Sequence, residues 1–133
     1  MNVTSVRGGI HNKDVLLAAF ASLPEIAYRI DQVYADKAGI SRDADAYAIK
    51  LIEEIGEIYH AYLQLTGRRQ KDEQDDGFIR RNLANQVSDA LMVLMMFAYS
   101  TGADVQDALK RKWLKFLPEI ALNPDPSLQN SYE

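Results

Sequence analysis

Apolar residues recur along this chain at the three- and four-residue spacing of a helix, and no stretch alternates with the two-residue period of a strand. Residues 1–12 are a polar, loose arm with Arg7-Gly8-Gly9 as a flexible point. Residues 13–23, KDVLLAAFASL, predict a short helix. Ser22-Leu23-Pro24-Glu25 then has the form of a capping box with proline in the first turn, so a second helix is expected to start there. Ile26, Ile30 and Val33 follow at helical spacing, and Gly39 can end that helix. Ser41 or Asp43 caps the next one, which runs to about Thr66 and is closed by Gly67. Ala44, Ala48, Leu51, Ile55, Ile58 and Tyr62 fall on one of its faces. Residues 68–77, RRQKDEQDDG, make a charged connector too polar to pack. A further helix starts near residues 78–81, reaches Ser100 and stops at Gly102. Asp104 to Asp107 has the form of a cap for a last helix running to about Phe116. Residues 118–133 hold three prolines and no helical period, and read as an extended or disordered tail.

The expected class is therefore all-α: an antiparallel bundle of about four main helices over residues 13–117, between the arm and the tail. Its length of 133 residues suits one domain. Residues 90–99, ALMVLMMFAY, have no polar side, and such a helix is buried all round. One small bundle can hardly cover it, so a subunit interface is expected.

Composition narrows the setting. The absence of cysteine excludes disulfides and thiolate metal sites and favours a reducing compartment. The start of the chain has no apolar signal core, and the longest apolar run is too short to span a bilayer. A cytoplasmic protein with no membrane partner is expected. The net charge of −4 argues against binding a nucleic acid polymer, although a small anion can still find local basic residues.

Candidate chemistry sits in KLIEEIGEIYH, residues 50–60. At about 100° per residue, Glu53, Glu54 and Glu57 fit within an arc of about 100°, shared by Ala46, Lys50 and Ala61. At about 6 Å, two such carboxylates repel by roughly 1 kcal/mol in water and roughly 3 kcal/mol at the dielectric of a partly buried site. Taken alone, the arc reads as a solvated polar face. Gly56, a mid-helix glycine, costs about 1 kcal/mol relative to alanine and suits close approach of a helix or ligand. On the following helix Asp89 stands at the entrance to the apolar run, with Gln86 and Asn82 one and two turns earlier. An ionised carboxylate there is costly without a partner. Set side by side, the two helices would offer Glu53, Glu54, Glu57, Asp89 and the amide oxygen of Gln86. Clustered oxygen donors suit a hard divalent cation, Mg²⁺ first and Mn²⁺ second, whose open positions suit substrate phosphates.

With these residues the sequence resembles the MazG-like, all-α nucleoside triphosphate pyrophosphohydrolases, which carry EExxE on one helix and ExxD on the next. Here Glu53-Glu54-Ile55-Gly56-Glu57 is followed, after 28 residues, by Gln86-Val87-Ser88-Asp89. The resemblance covers roughly residues 44–112. It implies Glu54, Glu57 and Asp89 as metal ligands, with Gln86 in the place of a glutamate ligand. It implies Glu53 as the group that orients or deprotonates the attacking water, or as an additional ligand. Lys112 matches a basic position that faces the phosphates, and Lys50, one turn before the acids, either touches a phosphate or pairs with Glu54. The implied reaction is hydrolysis of a nucleoside triphosphate to monophosphate and pyrophosphate, in a homodimer or homotetramer. Two positions depart: Gln86 brings no charge, which predicts weaker metal binding, and Phe116 stands where the family has asparagine.

Two other readings compete. Glu57-Ile58-Tyr59-His60 spells half of a di-iron carboxylate site, but the only other histidine, His11, lies in the arm without such a context. A non-catalytic helical oligomer with a degraded site is the stronger rival, and Gln86 is its best support. Arg68, Arg69, Lys71, Arg80 and Arg81 flank the connector within reach of a triphosphate or as solvated charges, and Tyr28 and Tyr34 are candidates for stacking on a base or for packing.

Overall fold

The structure, a computed structural model, describes residues 13–118. The described residues are helical, with no strand among them. The elements are α1 (Lys13–Ala38), α2 (Ala44–Leu65), α3 (Asp76–Thr101) and α4 (Val105–Lys112), followed by a single 3-10 turn, Leu114–Phe116. Among the described residues, no helix is long and apolar enough to cross a membrane. The chain divides into two compact units, one formed by Leu23–Ala103 and the other by the segments on either side of it. The arm expected at 1–12 and residues 119–133 of the expected tail lie outside the described residues, while Pro118 itself is helical.

Local chemistry sets the helix ends. Asp43 caps α2 by accepting from the Ala46 N–H at 2.9 Å, and Asp75 caps α3 by accepting from the Phe78 N–H at 2.7 Å. The second cap starts α3 a little earlier than its apolar pattern suggests. Asp104 accepts from the Asp107 N–H at 2.9 Å and opens α4. Gly102 ends α3 at φ 72°, a left-handed conformation that glycine adopts without penalty.

One boundary differs from expectation. The capping box at Ser22–Glu25 does not form, and α1 runs unbroken through Pro24. Glu25 instead accepts from Arg29 one turn later at 2.6 Å. Proline removes one backbone hydrogen bond, and the helix-forming residues around it carry the helix past the gap.

The buried faces also differ. In α1, Ala27, Asp31 and Ala35 are buried, whereas Ile26, Ile30 and Val33 are exposed. In α2, Tyr47, Ala61 and Gln64 are buried, while Ile55 and Tyr62 of the expected apolar face are exposed, as are Ile49 and Ile52. Small residues let backbones approach and leave room for the Tyr28 ring, which packs at 6.3 Å from the Tyr47 ring and 4.8 Å from that of Tyr99. In α3 the apolar run contributes Ala90, Val93, Met95, Met96 and Ala98 to the core, yet leaves Leu91, Leu94 and Tyr99 partly in solvent. The unit does not cover that helix on every side.

A polar network fastens α1 to the start of α2. The buried Tyr47 hydroxyl donates to Asp31 Oδ2 at 2.7 Å, Arg42 donates to Asp31 Oδ1, and the Arg42 guanidinium lies over the Tyr34 ring at 5.3 Å. Burial, then the Asp31 hydrogen bond and charge, push the Tyr47 phenol above its ordinary pKa. Among the described residues, every buried side-chain polar atom has a partner.

Candidate functional site

Helices α2 and α3 form the principal helix pair, a hairpin joined through the loop that follows Thr66. Which face of α2 meets α3 decides where the acids go. Ala61, in the middle of the acid arc, is fully buried, and the Glu54 side chain is 14 % exposed. The edge of the arc that holds Glu54 and Ala61 therefore lies on the packed side of α2. The solvated polar face holds for Glu53 and Glu57, which are exposed, and not for Glu54.

Lys50 occupies the same arc. Its Nζ lies 3.2 Å from Glu54 Oε1, in an i,i+4 pair with the lysine 37 % exposed. Of the two roles open to Lys50, the ion pair is the one formed. It compensates one carboxylate of three. Glu53 and Glu57 have no ion-pair or hydrogen-bond partner among the described residues.

On α3, Gln86 is half-buried and its Nε2 lies 3.5 Å from Asn82 Oδ1, a long, weak contact that leaves its amide oxygen free to accept. Asp89 precedes the buried Ala90, at the edge of the packed face, and its carboxylate is exposed without a partner among the described residues. Among the described residues, no three histidine, aspartate or glutamate side chains already converge on a point that could hold a metal ion. The donors fit a hard cation in kind, all of them oxygen, but Glu54 is turned to Lys50. Lys112 is the last residue of α4, in the other unit, and is exposed.

The other candidates are placed as follows. Tyr28 is taken up by packing, and Tyr34 stands under Arg42. Lys71 pairs with Asp76 at 2.5 Å, whose carboxyl that hydrogen bond and charge hold below the usual range. Arg68, Arg69, Arg80 and Arg81 are exposed. His60 is half-buried, with no second histidine among the described residues to complete a di-iron pair. The Asp31–Arg42–Tyr47 network was not anticipated from sequence. Its one signal is the i,i+4 series Ala27, Asp31, Ala35, a charged residue between two small ones on a single helix side.

No protein-family profile, curated protein or solved structure matches this chain.

Proposed function

We propose that the chain is a Mg²⁺-dependent hydrolase that converts a nucleoside triphosphate to its monophosphate and pyrophosphate, with Mn²⁺ as a possible substitute ion. The observation that carries this reading is the crowding of three carboxylates on one turn of α2, one of them largely buried. Glu54 is 14 % exposed and pairs with Lys50, while Glu53 and Glu57 beside it are exposed and have no counter-charge among the described residues. One lysine leaves the mutual repulsion of the three only partly offset, and a further cation would relieve it. Glu54, Glu57, Asp89 and the amide oxygen of Gln86 would hold the ion. A Mg²⁺ held there would supply Lewis-acid stabilisation of the charge that grows on the phosphate oxygens in the transition state.

The chain's own residues would do the rest. Glu53, exposed on the edge of the arc, orients a water and takes its proton as the water oxygen attacks the α-phosphorus in line. The bond from the α-phosphorus to its bridging oxygen breaks, and pyrophosphate leaves. Lys50, once Glu54 turns away from it, is free to meet a phosphate. The reading includes self-association of the chain as a homodimer or homotetramer, and a cytoplasmic setting.

The test is a panel of ribo- and deoxyribonucleoside triphosphates with Mg²⁺ or Mn²⁺, with products separated by ion-exchange chromatography. Monophosphate and pyrophosphate in equal amounts are expected from at least one substrate. Diphosphate with orthophosphate refutes the assigned bond cleavage. A second reading, a non-catalytic helical oligomer, is favoured by the engagement of Glu54 with Lys50 and by the lack of a preformed acidic triad. It predicts no turnover and no stabilisation by divalent ions.

A further inference from the structure

We infer that the outward face of α2 is the surface on which a second copy of this chain docks, the two α2 helices crossing antiparallel at Gly56. This deepens the self-association within the proposed function and stands apart from its catalytic part.

The face carries Ile49, Ile52, Ile55, Tyr59 and Tyr62, exposed by 61 %, 72 %, 54 %, 59 % and 42 %. With Gly56 they occupy an arc of about 140° on the side of α2 opposite the acids. At about 100 Å² for a whole isoleucine side chain and about 200 Å² for a tyrosine, this is about 400 Å² of exposed large apolar side chain on one helix. It is half of what each partner contributes to a standard interface, at about 800 Å². Isolated exposed aliphatics are ordinary, but a contiguous stripe of this size marks a contact surface.

Gly56 fits no role inside the chain. It lies mid-helix, its backbone is not left-handed, and a Cβ built there meets nothing within 4 Å. Its absent side chain makes room only for something arriving from outside. A helix crossing at this point could come as close as small residues allow.

Charge selects the partner. Asp45 is exposed on the same side of α2, eleven residues before Gly56. Arg68 and Arg69 follow the helix end twelve and thirteen residues after it, held there by bonds from their N–H groups to the Leu63 carbonyl at 2.9 and 3.1 Å. None of the three has an ion-pair partner among the described residues. A two-fold axis through Gly56 sets residue 56 − n of one copy against 56 + n of the other. It brings Asp45 of each copy to the arginine end of its mate, and Ile49 and Ile52 against Tyr59 and Tyr62. An antiparallel copy of α2 is thus complementary to α2 in both shape and charge, the signature of an isologous contact.

The experiment is sedimentation equilibrium of the full chain, with circular dichroism to confirm that each variant is folded. The wild type is expected at twice the 15.0 kDa chain mass. Ile52→Glu and Gly56→Leu should each raise the dimer dissociation constant at least about 30-fold, as loss of a central interface residue does. Both positions are open in the single chain, so folding tolerates them. Arg68→Glu with Arg69→Glu should weaken the dimer, and adding Asp45→Lys should restore it. A monomeric wild type overturns the inference. So does an oligomer that survives Ile52→Glu and Gly56→Leu unchanged, which would leave self-association standing through another face. Because the readout is mass, neither result depends on turnover.

Discussion

Replacing Lys50 by methionine asks whether the acid turn of α2 is built around a cation. Lys50 Nζ lies 3.2 Å from Glu54 Oε1, and the glutamate is far more buried than the lysine. At that distance and an effective dielectric of about 20, the attraction is roughly 5 kcal/mol before desolvation. Desolvation of Glu54, solvent screening at the lysine and the cost of fixing its long side chain remove most of this, leaving about 1–2 kcal/mol. Methionine keeps much of the apolar stem and deletes the charge. In metal-free buffer the variant should therefore lose about 1–2 kcal/mol, a drop in Tm of about 3–8 °C for a chain of this size. An ion that binds only the folded state then adds about 2.7 kcal/mol at 100 times its Kd. The wild type must break the Lys50–Glu54 pair to bind the same ion, so Mg²⁺ should stabilise the variant more than the wild type. The assay is thermal unfolding followed by circular dichroism, in EDTA and in Mg²⁺. Ionic strength is matched with NaCl, because screening alone relaxes like-charge repulsion. If Mg²⁺ raises the Tm of neither protein beyond matched salt, the turn forms no ion site and the catalytic reading fails with it.

Three further outcomes are expected. Gln86→Glu should tighten Mg²⁺ binding by about tenfold or more in calorimetric titration, equivalent to about 1.4 kcal/mol; unchanged affinity would place residue 86 outside the ion's shell. Asp89→Asn should abolish pyrophosphate release while leaving the metal-free fold as stable as the wild type or more so, and retained turnover would remove Asp89 from the site. Tyr47→Phe deletes the hydroxyl 2.7 Å from the buried Asp31 and should cost about 1.5–3 kcal/mol in urea unfolding. The Tyr47 pKa is raised by folding, so its contribution is fully present below pH ~10 and is lost as pH rises beyond that value. The stability gap between wild type and Tyr47→Phe should accordingly narrow between pH 9 and pH 11, and a constant gap would refute the assigned cause.

The helices were legible in the sequence because their signals are local. Asp43 and Asp104 cap where the sequence predicts, Gly102 stops α3 in the left-handed conformation, and only the Asp75 cap, inside the charged connector, was missed. The faces were not legible. Reading Ile26, Ile30 and Val33, or Ile55 and Tyr62, as inward assumes that the largest aliphatics fill the chain's own core. Here that core is built from Ala27, Ala35, Ala61, Ala90 and Ala98 around Tyr47, with Ile79, Val93, Met95 and Met96, and Ile26, Ile30, Val33 and Ile55 are exposed. Periodicity reports that a helix has two sides; it does not report which neighbour covers each. Pro24 misled for a related reason. A capping box and an internal proline look the same in sequence, and only the helical residues before Ser22 separate them. The acids share one arc as the helical period requires, but the burial of Glu54 alone among them, beside Ala61, was not legible.

That placement ties the fold to the chemistry. Burying most of Glu54 spends part of the packed side of α2 on a charge, in a chain whose core has few large side chains to spare. Lys50 answers one carboxylate, and Glu53, Glu57 and Asp89 remain without counter-charge among the described residues. An inert bundle would gain stability from any substitution that removed one of them, since each step relieves repulsion of roughly 1 kcal/mol or more and releases packing surface. A chain that uses a divalent cation gains instead from keeping them all, because the ion repays the repulsion only when enough oxygens face it together. The two cases therefore differ in sign rather than degree. Neutralising the acids one at a time should raise stability in EDTA in both, but only in an ion-binding chain should the same substitutions lower stability once Mg²⁺ is present. Inversion of the order between the two buffers is thus the behaviour that an ion-binding acid cluster demands, and a common order in both would show that the carboxylates are merely tolerated.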